Sequence, residues 1–568
     1  MKSSKITNWL LAGMSCLLIG TSCNVDPTFY SQAVPETFYT SSDAVWSRFN
    51  RPFTHWRWWA AHNDTRVRLT EVGTDEMCVP TRGNDWFDGA AYQNMHHHHF
   101  ADDIAVFKDG WDLTTMGVAQ SWSAKEDLEA VDFESVGLTE EDKASMLNQL
   151  NVLAAYFYLD ALDMFGGMPL YTSTTEDVKA RSTDLETFNF IDSLLNAAMP
   201  ELPVKTVLGE RETNIIHQAV AACLKMRLYF NAESYIGQPM WEETAQICED
   251  IINGVYGEYA LANDFRDIFG WGNETCTEII WTVPSQNATG ETDGGLTDFT
   301  VPYNFRDYLG GLQGMGGNNG LCLTPSRDPE GNLYNFNVGN PYETFNDQDI
   351  RKQLYVYEGN TEYRGMFIVG ELRNPNFPDY QCLGGREYSG QILTVVDQIA
   401  PLSRLGVDYN SYAEMPSTIA DAEENSGIRV LKFSPLPNQS EYRERYNPDC
   451  PVIRLAEVYY TLAECRMRMG DTQGAADLIN SIRRRNFEGG NDPDPVSSTN
   501  LDKYRMLKEW MQEFLREGRR RTDLIRWDAY VTEDWWDHTA SNNENYNRFP
   551  INYQNLNANP LLEQNPGY

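Results

Sequence analysis

The stretch Ile453-Arg-Leu-Ala-Glu-Val-Tyr-Tyr-Thr-Leu-Ala-Glu-Cys-Arg-Met-Arg-Met-Gly470, continued by Asp471-Thr-Gln-Gly-Ala-Ala-Asp-Leu-Ile-Asn-Ser-Ile482, decides the fold class. Ile453, Ala456, Tyr460, Ala463 and Met467 step by 3, 4, 3, 4, the spacing that lines one helix face. Gly470-Asp471 turns the chain, and Ala475, Ile479 and Ile482 line a second helix. Ala463 and Ala475 face each other across the turn. Small residues there let two helices cross closely, as in tetratricopeptide repeats.

Two earlier segments repeat the pattern. Met146, Leu150, Leu153 and Phe157 make one helix face, which stops at Gly166-Gly167 with Pro169 just beyond. A partner helix is expected at about 184–199, opened by Thr183 or Asp184 and closed by Pro200. A further pair is expected at about 212–235 and 240–253. From about 255 to 450 the chain changes character. Gly, Pro, Asn and aromatics dominate, with Gly310-Gly311, Gly314, Gly316-Gly317 and Gly320 in one run. Short β-like pieces, Glu278–Trp281 and Met366–Val369, sit between turn clusters. The expected fold is therefore mainly α: tetratricopeptide-like helical hairpins form a scaffold, at about 40–255 and 450–530. An irregular, loop-rich insertion at about 255–450 carries short β elements. Loops held on a rigid scaffold are where binding usually resides.

The 568 residues carry 45 Lys and Arg against 82 Asp and Glu, a formal charge of −37. Such a chain is repelled by nucleic-acid phosphate and anionic lipid, so neither is an expected partner. The 15 Trp, 30 Tyr and 25 Phe are too many for a chain that stays solvated.

Residues 1–23 begin with Lys2 and Lys5, continue in an apolar run from Trp9 to Gly20, and end in Thr21-Ser22-Cys23. The run is short for a membrane span. The segment resembles a bacterial lipoprotein signal, 1–22, cleaved before an acylated Cys23, which would anchor the chain to a membrane without threading it. The other cysteines outside that signal are scattered, with no zinc-type spacing. Export permits disulfides, and the sequence assigns none.

Four further motifs, in order, resemble the SusD/RagB family of surface nutrient-binding lipoproteins, over residues 23–568. They are Asn151–Asp160 with Phe165-Gly-Gly-Met-Pro-Leu170; Leu455-Ala-Glu457, Ala463-Glu464 and Ile479-Asn-Ser-Ile-Arg483; Glu513, Glu517-Gly518, Arg520, Asp523-Leu524 and Arg526-Trp527; and Phe549-Pro-Ile551 with Asn559-Pro560 and Gln564–Tyr568. Arg519-Arg520-Arg521 departs from the family, which often has an aromatic beside the Arg. The resemblance implies a non-catalytic protein of the outer-membrane surface. Such a protein captures oligosaccharide or polysaccharide, in some members peptide, and delivers it to a SusC-like TonB-dependent barrel. No cofactor is expected.

A sugar site needs exposed aromatics for stacking and polar groups for the hydroxyl rim. Arg82, Asn84, Asp85 and Asp88 around Trp86 supply both on an expected loop; the alternative is that Trp86 plugs the interface between loops and scaffold. A second set is Trp271, Tyr303 and Tyr308, with Phe305, flanking the Gly-rich run; loop packing is its alternative. Trp56, Trp58 and Trp59 fall in an expected helix and read as core. His96–His99 reads as a polar loop with one His packed inside, because consecutive ligands do not converge on a metal. Arg519–Arg521 reads as pairing with Glu517 and Asp523. The rival is a glycoside hydrolase, which needs two suitably spaced carboxylates. The sequence has no H-E-x-x-H, G-x-S-x-G or P-loop.

Overall fold

The computed structural model describes residues 38–62, 65–210, 216–285, 294–308, 316–328, 330–355, 357–358, 362–363, 365–373, 381–402, 417–433 and 448–568. The expected lipidation site Cys23 and the glycines from Gly310 to Gly314 lie outside the described residues. The chain is mainly helical. Its principal helices are α1 (Ser42–Arg57), α2 (Ala105–Glu129), α3 (Glu140–Phe165), α4 (Asp184–Ala198), α5 (Gln218–Phe230), α6 (Trp241–Ile252), α7 (Leu455–Arg468), α8 (Thr472–Arg483), α9 (Lys503–Phe514) and α10 (Arg520–Arg526).

Local chemistry sets the helix ends. Thr139 and Asp142 form a capping box at the start of α3, and Thr183 and Glu186 form another at α4. Helix α3 ends at Gly166, at φ +80°. At Gly167 a Cβ would sit 2.0 Å from the Ser182 carbonyl oxygen, so only glycine lets the chain pass there. Gly470, at φ +94°, turns α7 into α8, and the Asp471 carboxylate accepts from the Gly474 amide.

Helices α2 to α6 pack consecutively, each on the next. Helix α6 then packs on α7, and α7 on α8, so the array runs from residue 252 to residue 455 in space. Strand β2 (Ile279–Val283) pairs antiparallel with β4 (Cys450–Arg454), and among the described residues the chain between them makes two-residue strands and short helices. One of these, β3 (Cys322–Leu323), pairs antiparallel with β1 (Met77–Cys78). Phe367–Ile368 pairs with Arg429–Val430. The β2 residue Trp281 stacks on Trp56 of α1 at 4.3 Å, which ties that sheet to the helical core. Trp56 and Trp59 are buried as expected, but Trp58 is 44% exposed because it points from the opposite side of the same turn.

The late signature is a set of buried ion pairs. Arg520 holds Asp75 through Nε and Nη2 at 2.6 and 2.7 Å. Arg521 reaches Asp163 at 2.9 Å. Arg519 donates to Asp523, and Arg526 to Asp523 and Glu464. Glu517 accepts from Arg454 and Lys432 rather than from the arginine triplet. Only Arg519 therefore pairs locally, as expected of the triplet; Arg520 and Arg521 cross to other segments of the chain. Gly518, at φ +73°, donates its amide to buried Glu71, and a Cβ there would meet Arg66. At the C-terminus the Phe549 amide donates to Met164, and the Asn565 side-chain amide donates to the carbonyls of Phe165 and Phe549.

The histidine run packs more deeply than expected: His96 and His98 are both fully buried, and His538 joins them. Each has one ring nitrogen on a backbone carbonyl: His96 on Trp536, His98 on Gly73, and His538 on His96. Among the described residues no group of three or more His, Cys, Asp or Glu is arranged to hold a metal ion.

Candidate functional site

The loop 82–90 is held in an unusual backbone conformation. Trp86, Asp88 and Ala90 all have positive φ, at 63°, 41° and 67°, as do Gly83 and Gly89. Each non-glycine residue in that region costs about 1–3 kcal/mol and persists only where its surroundings over-determine it. Arg82 supplies much of that restraint. It is buried, its backbone pairs with Asp85, its Nη1 donates to the Glu423 carbonyl at 2.6 Å, and its Nη2 donates to Cys322 Sγ. Arg82 is thus a positioning residue behind the loop, beyond the reach of a ligand on its face.

Trp86 is half-buried. Its ring packs at 5.1 Å from Phe299 and 6.0 Å from Tyr92, and its indole N–H donates to the Asn318 carbonyl at 2.9 Å. One side of the ring joins the loops, and the rest remains at the surface. The N–H is committed, which leaves the ring face as the part open outward.

Asp85 accepts from the Tyr303 hydroxyl at 2.6 Å and from Arg386 Nη2 at 2.5 Å. The Arg386 guanidinium also lies over the Tyr303 ring, 4.5 Å from its centroid. Burial and the bond to Asp85 both push the Tyr303 hydroxyl pKa up, so the phenol stays a neutral donor. Glu424, whose pKa burial raises, accepts from the amides of Gly385 and Arg386 and fixes the turn that presents the guanidinium. Asn84, Phe87, Asp88, Asn318 and Arg386 are exposed around this cluster, Phe87 by 52%.

Tyr303 therefore joins the Trp86 set rather than a separate one. Tyr308 does not: it is buried, stacks on Phe305 at 5.1 Å and hydrogen-bonds the Tyr355 carbonyl, so its hydroxyl is used inside the fold. Trp271 lies half-buried in the turn after Arg266–Phe269, a helix that packs on β4. Arg386 is the residue sequence reasoning missed. Its only local signal is the preceding Gly384-Gly385, and its partners lie some 80 and 300 residues away.

A cavity of about 540 Å³ lies elsewhere, between α2 and α3, with Met116, Trp122, Phe157 and Met168 in its wall. Its polar groups are largely committed. Thr114 and Thr115 bond carbonyls of α2, and the Tyr158 hydroxyl accepts from the Tyr171 amide.

The sequence model of the SusD family matches residues 277–568, more than half of the chain. The chain belongs to the SusD family. The starch-binding protein SusD of Bacteroides thetaiotaomicron is 23% identical over 452 residues, covering 76% of this chain and 74% of that protein. A SusD-like protein of Formosa agariphila is 22% identical, covering 99% of this chain and 98% of its own. Among solved structures, NanU of Bacteroides fragilis superposes with a TM-score of 0.68 at 16% identity, covering 96% of this chain and all of that one. A laminarin-binding SusD-like protein superposes with a TM-score of 0.64 at 17% identity, covering 93% and 100%. These superpositions establish the SusD fold.

The matched SusD segment contains Tyr303, Arg386 and the whole ion-pair signature from Glu513 to Arg526. The Trp86 loop lies before it. Half of the candidate site is therefore built on the family's common segment and half on the N-terminal part of this chain.

Proposed function

We propose that this SusD-family protein binds a neutral glycan, without catalysis, at the face formed by Trp86, Tyr303, Arg386 and Asn84, with Asp85 and Asp88 beside them. From there it delivers the glycan to a SusC-like TonB-dependent outer-membrane barrel. The observation that carries the reading is the strained loop. It brings an aromatic face, a neutral phenol and an exposed guanidinium together where a sugar ring can stack and its hydroxyls be bonded. The names of the starch-binding and laminarin-binding relatives point the same way. Asp85 accepts from the Tyr303 hydroxyl and from Arg386, so its carboxylate holds these two donors in place at the face. The charge of −37 disfavours polyanionic ligands.

Titration calorimetry against a panel of neutral oligosaccharides, including α- and β-glucans, tests the site. Trp86→Ala is expected to weaken binding at least about 30-fold, as loss of one central aromatic contact costs about 2 kcal/mol. Because Trp86 also packs on Phe299, Arg386→Ala is the surface control, expected to lose about tenfold while keeping the wild-type circular dichroism. Unchanged affinity in both folded variants would move the site away from this face.

The outer-membrane surface location and the barrel partner form the second part of the proposal. Among the described residues no helix is long and apolar enough to cross a membrane, and the proposed anchor is the acylated Cys23. Cys23→Ala is expected to leave the membrane fraction. Mild detergent extraction of the unaltered protein is expected to co-purify the barrel. Retention of Cys23→Ala in the outer membrane, or repeated recovery of this protein alone, would count against it.

A further inference from the structure

Cys78 and Cys322 stand directly opposite each other in the β1–β3 pair. Their Sγ atoms are 3.9 Å apart, both side chains are fully buried, and 244 positions separate them in the chain. The Thr324 amide donates to the Glu76 carbonyl at 3.1 Å, two positions along the ladder, and locks this register. Opposed residues of an antiparallel pair have Cα atoms about 4.5–5.5 Å apart, inside the roughly 4.4–6.8 Å that a disulfide spans. The sulfurs can therefore close to bonding distance by side-chain rotation, with the strands in place.

The surroundings set the two thiols apart. Arg82 Nη2 is 3.5 Å from Cys322 Sγ, and Arg429 lies against the same sulfur. Burial opposes the Cys322 thiolate, but the bond to Cys78 and the two guanidinium charges outweigh it and bring the thiol down to about 6. The Cys78 thiol is pushed well up by burial and its sulfur neighbour. One cysteine is thus the ready nucleophile and the other its proton-bearing partner.

We propose that Cys78 and Cys322 form a disulfide in the exported protein, pinning the strand that leads into the Trp86 loop to the strand that follows the Gly-rich run. The oxidant is a protein disulfide of the thiol–disulfide exchange class, met on export. The Cys322 thiolate attacks one oxidant sulfur, forming a mixed disulfide and releasing the other as thiolate. Cys78 gives its proton to that thiolate, and its sulfur attacks the Cys322 sulfur of the mixed disulfide, displacing the oxidant's remaining sulfur as a second thiolate that takes a proton from water. Two thiols become one cystine, and the oxidant disulfide becomes a dithiol. The bond closes the 244-residue separation behind Arg82, so it restrains both walls of the candidate site.

The test uses the full chain isolated from its native envelope. Free thiols are trapped with iodoacetamide under denaturing, non-reducing conditions, and the digest is mapped by mass spectrometry. The expected result is a cross-linked pair of peptides containing Cys78 and Cys322, two hydrogens lighter than their sum. The other six described cysteines should be alkylated. Alkylation of both Cys78 and Cys322, or pairing of either with another cysteine, overturns the proposal. Thermal unfolding adds a second readout. A reducing phosphine should lower the Tm of the isolated protein and leave the folded C78S/C322S variant unmoved. An equal fall in both would place the effect on another bond and likewise overturn it. Because the mapping is done on the unaltered chain, the proposal stays testable even if the variant does not fold, and glycan affinity plays no part in the outcome.

Discussion

Glu513→Ala is expected to destabilise the protein by about 3–5 kcal/mol, the range for removing one partner from a buried ion pair. Glu513 is almost fully buried and accepts from three guanidiniums: Arg454 at 2.7 Å, Arg351 at 3.1 Å and Arg485. These arginines come from β4, from the turn Ile350–Lys352 and from the turn Arg484–Asn486 that follows α8. Removing the carboxylate leaves Arg454 and Arg485 on Glu278, Arg454 and Lys432 on Glu517, and Arg351 on Asp349, so four buried cations face three acids. Burial alone would raise the Glu513 pKa, but Arg485, Arg454 and Arg351 outweigh it and hold the group well below the usual carboxylate range. Its contribution is therefore present above the ordinary carboxylate pKa and is lost only in strong acid. Denaturant unfolding followed by circular dichroism measures the effect. A change under about 1 kcal/mol would place Glu513 among groups that water already screens.

The second large effect is expected on acidification and belongs to the histidines. His96, His98 and His538 lie with ring centroids 4.3 Å apart for His98–His538 and 6.1 Å for His96–His538. Burial lowers all three pKa values, His96 to about 4 and His98 to about 3. For His98 the cations Arg521 and neighbouring histidines add to burial, while for His96 the Asp537 carboxylate and the Trp536 carbonyl oppose it. The unfolded chain takes up these protons near pH 6.5 and the folded chain does not. Stability is therefore full above pH 6.5 and falls as the pH drops toward about 4 for His96, about 3 for His98, and lower still for His538. At pH 5 each imidazole costs about 2 kcal/mol, or roughly 6 kcal/mol for the three. Half-buried Asp397, raised to about 7, and buried Glu76 act with the opposite sign, since the folded chain holds their protons more tightly. The measurement is therefore a comparison. The stability gap between wild type and His98→Gln should shift by about 2 kcal/mol in favour of the variant between pH 7 and pH 5. A gap that does not move with pH would show that His98 takes up its proton in the fold as readily as in the unfolded chain.

Some of this architecture was legible because it is written in nearest neighbours. Thr183 with Glu186, Gly166-Gly167 before Pro169, and Gly470-Asp471 state their helix ends within a few residues. Helix α2 was not read, although it is 25 residues long. Its buried face carries Gly110, Thr114, Gly117 and Ser121, small or polar residues that blur the apolar period. They are small because neighbours come close: a Cβ on Gly117 would sit 2.5 Å from the Phe157 ring. Trp58 was read as core because the periodicity of a short aromatic cluster does not separate the two sides of one turn.

By itself, then, the sequence determined the helical hairpins, the loop-rich middle, the SusD family signature and an aromatic loop at Trp86, all carried by local spacing and short motifs. The tertiary structure alone decided which charges meet and which surfaces form. Arg520 crosses to Asp75, Arg521 to Asp163, Arg386 to Asp85, and Cys78 faces Cys322. Each of these pairs spans more than 200 residues, and an arginine in sequence carries no mark of which distant carboxylate it will neutralise. That choice is made when the helical array brings residue 252 against residue 455. The desolvation that follows leaves each buried charge tolerable only beside the partner the fold has placed there.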